Sequence, residues 1–416
     1  MGKSNSIHAL TLGVLLTCFV MTVFLMSVQV TEGATYYTAT NGNDSSPGTQ
    51  TLPFRTITMG VSVLSPGDIL YIRGGTYPES FYDNIPGGTS WSTPVTVAGF
   101  PGETVVLKPD DVYHVIHIGG INERYIILDN LVIDGGKSDG IKIFNTSDHI
   151  RVKNSEIRNS KGPGVMVIGS PAGTALGCCN EFINLNVHHN GTNYFNNAFY
   201  IQSANNIIER CKIYSNTATG IAFSSQNASL TENNIARYNE IFDNIDPQSP
   251  HKVPAIVTAE AINSLIHSNI IFNNSGGGIY LFGSNVEINS RVLNNTIYNN
   301  PLFGVKIEAG NLQAKIINNI LFQSSAGGVS IINAGINATI SNNLTVDPGF
   351  VAPTSKNFKL QPTSRAINAG LSLPETSIDF GNVPRPQDCC YDIGAHEYKS
   401  NTDTTAPAAP TNVRVM

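Results

Sequence analysis

The chain has 416 residues, of which 41% are hydrophobic and only 13% charged, with a net charge of -6. This mild acidity, without clustered Lys and Arg, excludes an electrostatic nucleic-acid binder. Low charge with 38 glycines fits a soluble fold whose surface is built from Asn, Ser and Thr rather than from ion pairs.

Residues 1–33 read as a signal peptide. Lys3 precedes an apolar run from Ala9 to Val30, and small residues at Thr31 and Gly33 suit a signal peptidase. An uncleaved anchor is the alternative, because about 20 apolar residues just span a bilayer. Export would place the mature chain outside the cell or on its surface, without a membrane segment and as a monomer. Five cysteines would remain, Cys178, Cys179, Cys211, Cys389 and Cys390. An odd number leaves at least one unpaired thiol or an intermolecular bond, and the pairing stays open. No CxxC spacing suggests zinc. Cys211, two positions before Ile213, reads as a small buried hydrophobe.

From residue 34 to 130 the sequence predicts a short amphipathic helix at TITMGVSVL (56–64), a turn at SPGD (65–68) and a strand at ILYI (69–72). Further strands are expected at 93–100, 104–109, 114–120 and 124–130. A repeat then fills residues 131–345. One phrase recurs: an apolar residue, a polar turn, usually Gly, then apolar-x-apolar. Its first apolar positions are Ile133, Ile157, Val187, Ile213, Ile241, Ile271, Ile297 and Leu321, which by subtraction are 24 to 30 residues apart. Such a period predicts a solenoid, and the β-branched alternation of I-x-I and V-x-V predicts strands. Two inward columns follow, those eight residues and Ile143, Val167, Ile201, Phe223, Leu281, Ile307 and Ile331. Three residues after the anchor stand Asn190, Asn216, Asn244, Asn274 and Asn300, with Ser160 and Ser324 at the ends. That column is expected to hydrogen-bond from coil to coil.

Residues 35–79 contain GND, PGT, PFRTI and PGDILYIRGGTY. This run resembles the opening segment of exported right-handed parallel β-helix proteins of the pectin-lyase-like superfamily. The C-terminal phrase DIGAHEY (392–398), within the segment 346–399, is similar to the way that superfamily closes its helix. The resemblance implies an all-β, right-handed parallel β-helix of about ten or more coils, with an N-terminal cap and a C-terminal closing segment. Residues 400–416 look like a linker or the start of a truncated fibronectin type III-like module. It also implies a partner, extracellular polysaccharide, and a lyase-type attack on uronate sugars. Such lyases need a cation for the uronate carboxylate and a base for the C5 proton. Calcium is the usual cation, but no Asp cluster supports it here, and no Lys follows the Gly-I-x-I phrase where related pectate lyases carry one.

Insertions mark where function is expected, because a solenoid keeps its coils regular unless a loop has work to do. Residues 188–197 and 242–255 lengthen the connection into the Gly-I-x-I strand, and 169–180 follows that strand one coil earlier. The expected catalytic set is His188, His189, Tyr200, Asp243, His251, Lys252 and Glu260, and the expected substrate-binding set is Tyr194, Gln202, Asp246, Tyr280 and Phe282. Asp243 and Glu260 are alternatively the two carboxylates of a glycosidase. His189 and Asp243 share a column with Ser215, Asn273 and Asn299, so a plain turn role competes for both. Lys306 and Glu308 lie near the end of the repeat, where a cleft is not expected. A non-catalytic carbohydrate-binding rod at the cell surface is the competing function.

Overall fold

The computed structural model describes residues 33–169, 177–224, 231–245, 252–283, 288–325 and 330–399. Within them the chain winds as a parallel β-solenoid. Each coil visits three sheets in turn, as Asp148–Lys153, Glu156–Arg158 and Val165–Gly169 do in one coil. Among the described residues the first sheet has twelve strands and the second and third have ten each. The recurring phrase with its two inward columns accounts for two strands per coil. The additional strand belongs to the first sheet, in runs as short as Ile207–Glu209 and Ile235–Arg237. Only two residues separate it from the second sheet, so the two strands read as one apolar stretch.

Those two-residue turns depend on left-handed backbone. Asn154, Asn184, Arg210, Tyr238, Ser268, Asn294 and Asn318 all have φ between 51° and 61°. Asn tolerates this conformation, whereas Arg and Tyr enter it only when their surroundings enforce it. The enforcement is visible in the next residue. Asn239, Asn269, Asn295 and Asn319 are fully buried and stacked. The Oδ1 atoms of Asn269, Asn295 and Asn319 each accept the backbone N–H and the Nδ2 of the Asn one coil earlier, as Asn269 does for Asn239 at 2.9 and 3.0 Å. Each Nδ2 also donates to a backbone carbonyl, that of Ala236 in the case of Asn269. Cys211 stands at the start of this ladder. Its N–H donates to Asn239, and burial pushes its thiol up to about 12, so it is an inert core group.

The expected ladder from Ser160 to Ser324 is present in the turn between the second and third sheets. Asn190, Asn216, Asn244, Asn274 and Asn300 pass the same paired bonds from coil to coil. Inside the solenoid the anchor column from Ile133 to Leu321 is in strict register and fully buried. The second column holds through Ile307, with Thr258 filling the coil that lacked an apolar residue. It fails at the last coil, where Ile331 pairs with Val305 instead of Ile307. Ile331 is only partly buried there.

At the N-terminal end the helix Ile57–Ser62 is capped by Thr56, whose hydroxyl accepts Met59 N–H at 3.1 Å. Ile57 and Val61 join the core. After the last coil, residues 346–399 fold back along the outer face of the second sheet. Phe350, Phe358, Leu360 and Ile393 pack there on Phe242, Phe272 and Ile320. DIGAHEY holds this segment together: Glu397 accepts Arg385 at 2.8 Å and the N–H groups of Gln387 and Asp392, and neither Arg385 nor Glu397 side chain exceeds 1% exposure. Cys178 and Cys179 are disulfide-bonded to each other, and Cys211, Cys389 and Cys390 are free.

Two stability outcomes follow. Asn269→Ala strips the acceptor from the buried Asn239 N–H and leaves the Asn239 amide only its bond to Ile208 O, and denaturant unfolding should register a loss on the order of 2–4 kcal/mol. The His267 imidazole, buried in the first sheet, is held down to about 3 by desolvation. The unfolded chain therefore takes up a proton that the folded chain refuses, so stability is full above pH ~6.5 and falls as pH drops from there toward 3. His267→Leu should flatten that acid slope by up to about 1.4 kcal/mol per pH unit in urea titrations at stepped pH.

Candidate functional site

The outward face of the third sheet carries a groove of 340 Å³. Its floor follows from period-two alternation: Tyr200, Ala222, Val257 and Tyr280 stand side by side on successive strands, pointing away from the core. The neighbouring row adds Ser224, Ala259 and Phe282. Tyr200 and Tyr280 are three strands apart, roughly 14 Å at the usual inter-strand spacing.

One wall is the insertion after Asn190. Asn190 keeps its place in the ladder, and the chain departs only at Gly191, whose φ of 92° favours glycine. Asn196 then organises the loop, its Oδ1 accepting the N–H groups of Thr192 and Asn193 at 3.1 Å. Thr192 pins it to the previous coil through Lys161 O at 2.9 Å. Tyr194 and Phe195 are lifted to the rim with their rings 5.4 Å apart, and Phe195 is 76% exposed. Asn197, Thr219 and Pro254 complete the lining.

Of the expected residues, Tyr194, Tyr200, Tyr280 and Phe282 meet in this groove. Gln202 shares the outward face, on the strand Phe199–Gln202, but is not among the lining residues. Asp246 and His251 lie outside the described residues. Lys252 is exposed on the approach to the strand Ile256–Ala259 and does not line the groove.

The remaining expectations are corrected by geometry. His188 lies on the second sheet, not the third, and stacks on Tyr214 at 4.9 Å. That stack continues through Phe242 and Phe272 to Phe358 of the C-terminal segment. Desolvation holds the His188 pKa below the ordinary histidine value despite a 3.1 Å contact to Glu156. His189 and Asp243 occupy left-handed turn positions, φ 56° and 54°, in the column of Ser215, Asn273 and Asn299. Glu260, φ 54°, follows the third-sheet strand that Asp243 precedes. Asp243 follows the second-sheet strand Glu240–Phe242 and Glu260 follows the third-sheet strand Ile256–Ala259, so the two carboxylates stand at different corners of the coil.

Two groups set aside in the sequence reading do reach the site. Lys306 pairs directly with Tyr280 on the next strand, and its Nζ lies 3.2 Å from the Tyr280 hydroxyl and 4.4 Å from the ring centre. Glu308 accepts the Tyr280 hydroxyl and lies 2.9 Å from Lys306 Nζ. Burial, then the Glu308 carboxylate, raises the Tyr280 phenol. The hydrogen bonds from Tyr280 and Lys306 hold the Glu308 carboxyl below its ordinary value. The signal for this cluster was the outward parity of Lys306 and Glu308 with Tyr280, outweighed by their place near the end of the repeat. At the other end of the same face, Tyr82 stacks on His117 at 4.5 Å, and Asp83 holds the His117 ring at 2.8 Å.

A calcium site requires six to eight oxygens, usually with several carboxylates. The described lining supplies no carboxylate, and among the described residues no three His, Cys, Asp or Glu side chains converge. The described groove therefore does not fit calcium.

Residues 36–195 match the Pel9A-like right-handed β-helix region, and residues 175–345 match the right-handed β-helix region. The chain is 28% identical over 144 residues to the uncharacterized protein YwoF of Bacillus subtilis, which covers 31% of this chain and 30% of that one. It is 30% identical over 91 residues to pectate lyase PEL9 of Emericella nidulans, 22% of either chain. The chain thus spans less than a third of the length of these curated relatives. The solved structure of pectate lyase Pel9A superposes with a TM-score of 0.68 at 19% identity, covering 88% of this chain and 96% of that one. Three-sheet coils, stacked Asn turns and these matches lead to one conclusion: the chain is a right-handed parallel β-helix protein, similar in fold to pectate lyase Pel9A.

Proposed function

We propose that the protein is exported and holds an extracellular polysaccharide along the third-sheet groove, acting on it by lyase-type chemistry. The aromatic groove carries this reading. Sugar rings offer C–H faces to aromatic rings and hydroxyls at their edges. Tyr200, Tyr280 and Phe282 supply such faces, while Asn197, Thr219 and Ser224 supply hydrogen-bonding partners. The local sequence likeness to a pectate lyase supports a polysaccharide as substrate class, and the apolar segment within residues 1–33 supports export.

A non-catalytic binding rod is the second reading. What favours it is the composition of the described lining, which pairs aromatic and small polar side chains without a Lys, Arg or carboxylate among them.

Incubating the mature chain with a panel of uronate polysaccharides, following absorbance of the unsaturated product and measuring binding in parallel, separates the two. Product formation supports the lyase reading. Binding without product selects the rod, and neither binding nor product overturns the groove as a glycan site. Tyr200→Ala should weaken binding about tenfold, equivalent to ~1.4 kcal/mol, through loss of one stacking face. His188→Phe, which preserves the stack on Tyr214 outside the groove, should leave binding unchanged in the same titration.

A further inference from the structure

Tyr280 belongs to the groove, and the two ionised groups touching it stand one strand further along the same face. The Lys306 ammonium has three donors, of which the Tyr280 hydroxyl and Glu308 engage two. Its side chain is 30% exposed, leaving the third donor open to a ligand lying on the sheet. The Tyr280 hydroxyl donates to Glu308, so a proton path between these two side chains already exists.

Resting on the polysaccharide-lyase reading, we infer that Lys306, Tyr280 and Glu308 form its reaction centre and select uronates with the gluco or manno configuration. Lys306 receives the uronate carboxylate, and neutralising that charge acidifies the C5 proton. Glu308 takes that proton, the C5–H electrons form the C4=C5 double bond, and the C4–O4 bond breaks. Tyr280 gives its phenolic proton to the departing O4. The proton on Glu308 then returns to the Tyr280 phenolate across their existing hydrogen bond, which restores both groups without a co-reactant.

The raised phenol pKa keeps Tyr280 protonated at neutral pH, as a general acid requires, and the depressed carboxyl pKa keeps Glu308 ionised. Stereochemistry follows from contact. Two groups hydrogen-bonded to each other on one sheet face act from the same side of a bound sugar, which is a syn elimination. O4 and H5 share a side in gluco and manno uronates and lie on opposite sides in galacturonate.

The test compares wild type with Tyr280→Phe, Glu308→Gln and Lys306→Met on glucuronate, mannuronate and galacturonate polymers, with thermal melts to verify folding. Tyr280→Phe and Glu308→Gln should each lower kcat about 100-fold or more with KM little changed, the usual scale of lost acid–base catalysis. Lys306→Met should raise KM and lower kcat together, and Lys306→Arg should restore part of the activity. Wild-type rates in folded Tyr280→Phe or Glu308→Gln, or cleavage of galacturonate alone, would overturn the inference while leaving the lyase reading intact. A wild-type chain that binds these polymers and releases no unsaturated product would overturn that reading as well.

Discussion

The structure depends on one arrangement, a left-handed turn with a buried Asn beneath it, repeated where the first sheet meets the second. A two-residue turn inside a stack leaves backbone N–H groups facing the core, where each unpaired donor costs about 1–3 kcal/mol. Asn269 shows the solution. One carboxamide accepts two donors from the preceding coil and donates to two acceptors, so every coil completes its neighbour. The same bonds explain why Arg210 and Tyr238 tolerate positive φ: the ladder residue that follows fixes the turn whichever residue precedes it. No coil is satisfied alone, and the solenoid is stable only as a stack.

This arrangement also sets where the chain is free to vary. In the turn between the second and third sheets, the ladder residue comes first and the insertion second. Asn190 and Asn244 hold their places, and the added residues begin only after them. A loop inserted there leaves both flanking strands in register, as the unbroken pairing from Val165 through Phe199, Ile221 and Ile256 shows. The third sheet can therefore gain walls without losing its floor.

Most of the fold was legible in the residues because burial imposes period two and stacking imposes the coil length. The anchor column, the second Asn ladder and the N-terminal strands could all be read from those two rules. The first-sheet strands inside the repeat could not, because a left-handed turn at Arg210 or Tyr238 carries no residue-type signal. The last coil departs from the expected register by two residues, Ile331 standing opposite Val305 and Asn333 opposite Ile307. Site legibility divides along the same line. Tyr200, Tyr280 and Phe282 were found by alternation, which fixes the direction of a strand side chain. His188 was misassigned because the start of an insertion was taken for the groove wall, although its backbone still belongs to the second sheet.

A regular solenoid has two ways to build a site, by lengthening a turn or by changing outward residues on a strand. Here the first supplies shape and the second supplies charge. Tyr194 and Phe195 owe their positions to Gly191 and Asn196, whereas Lys306 and Glu308 sit on an unmodified strand and a tight exit from it. The charged groups therefore stand at one end of the groove. Along the third sheet the aromatic surface comes first and the ammonium–phenol–carboxylate cluster last, an asymmetry that neither device creates alone.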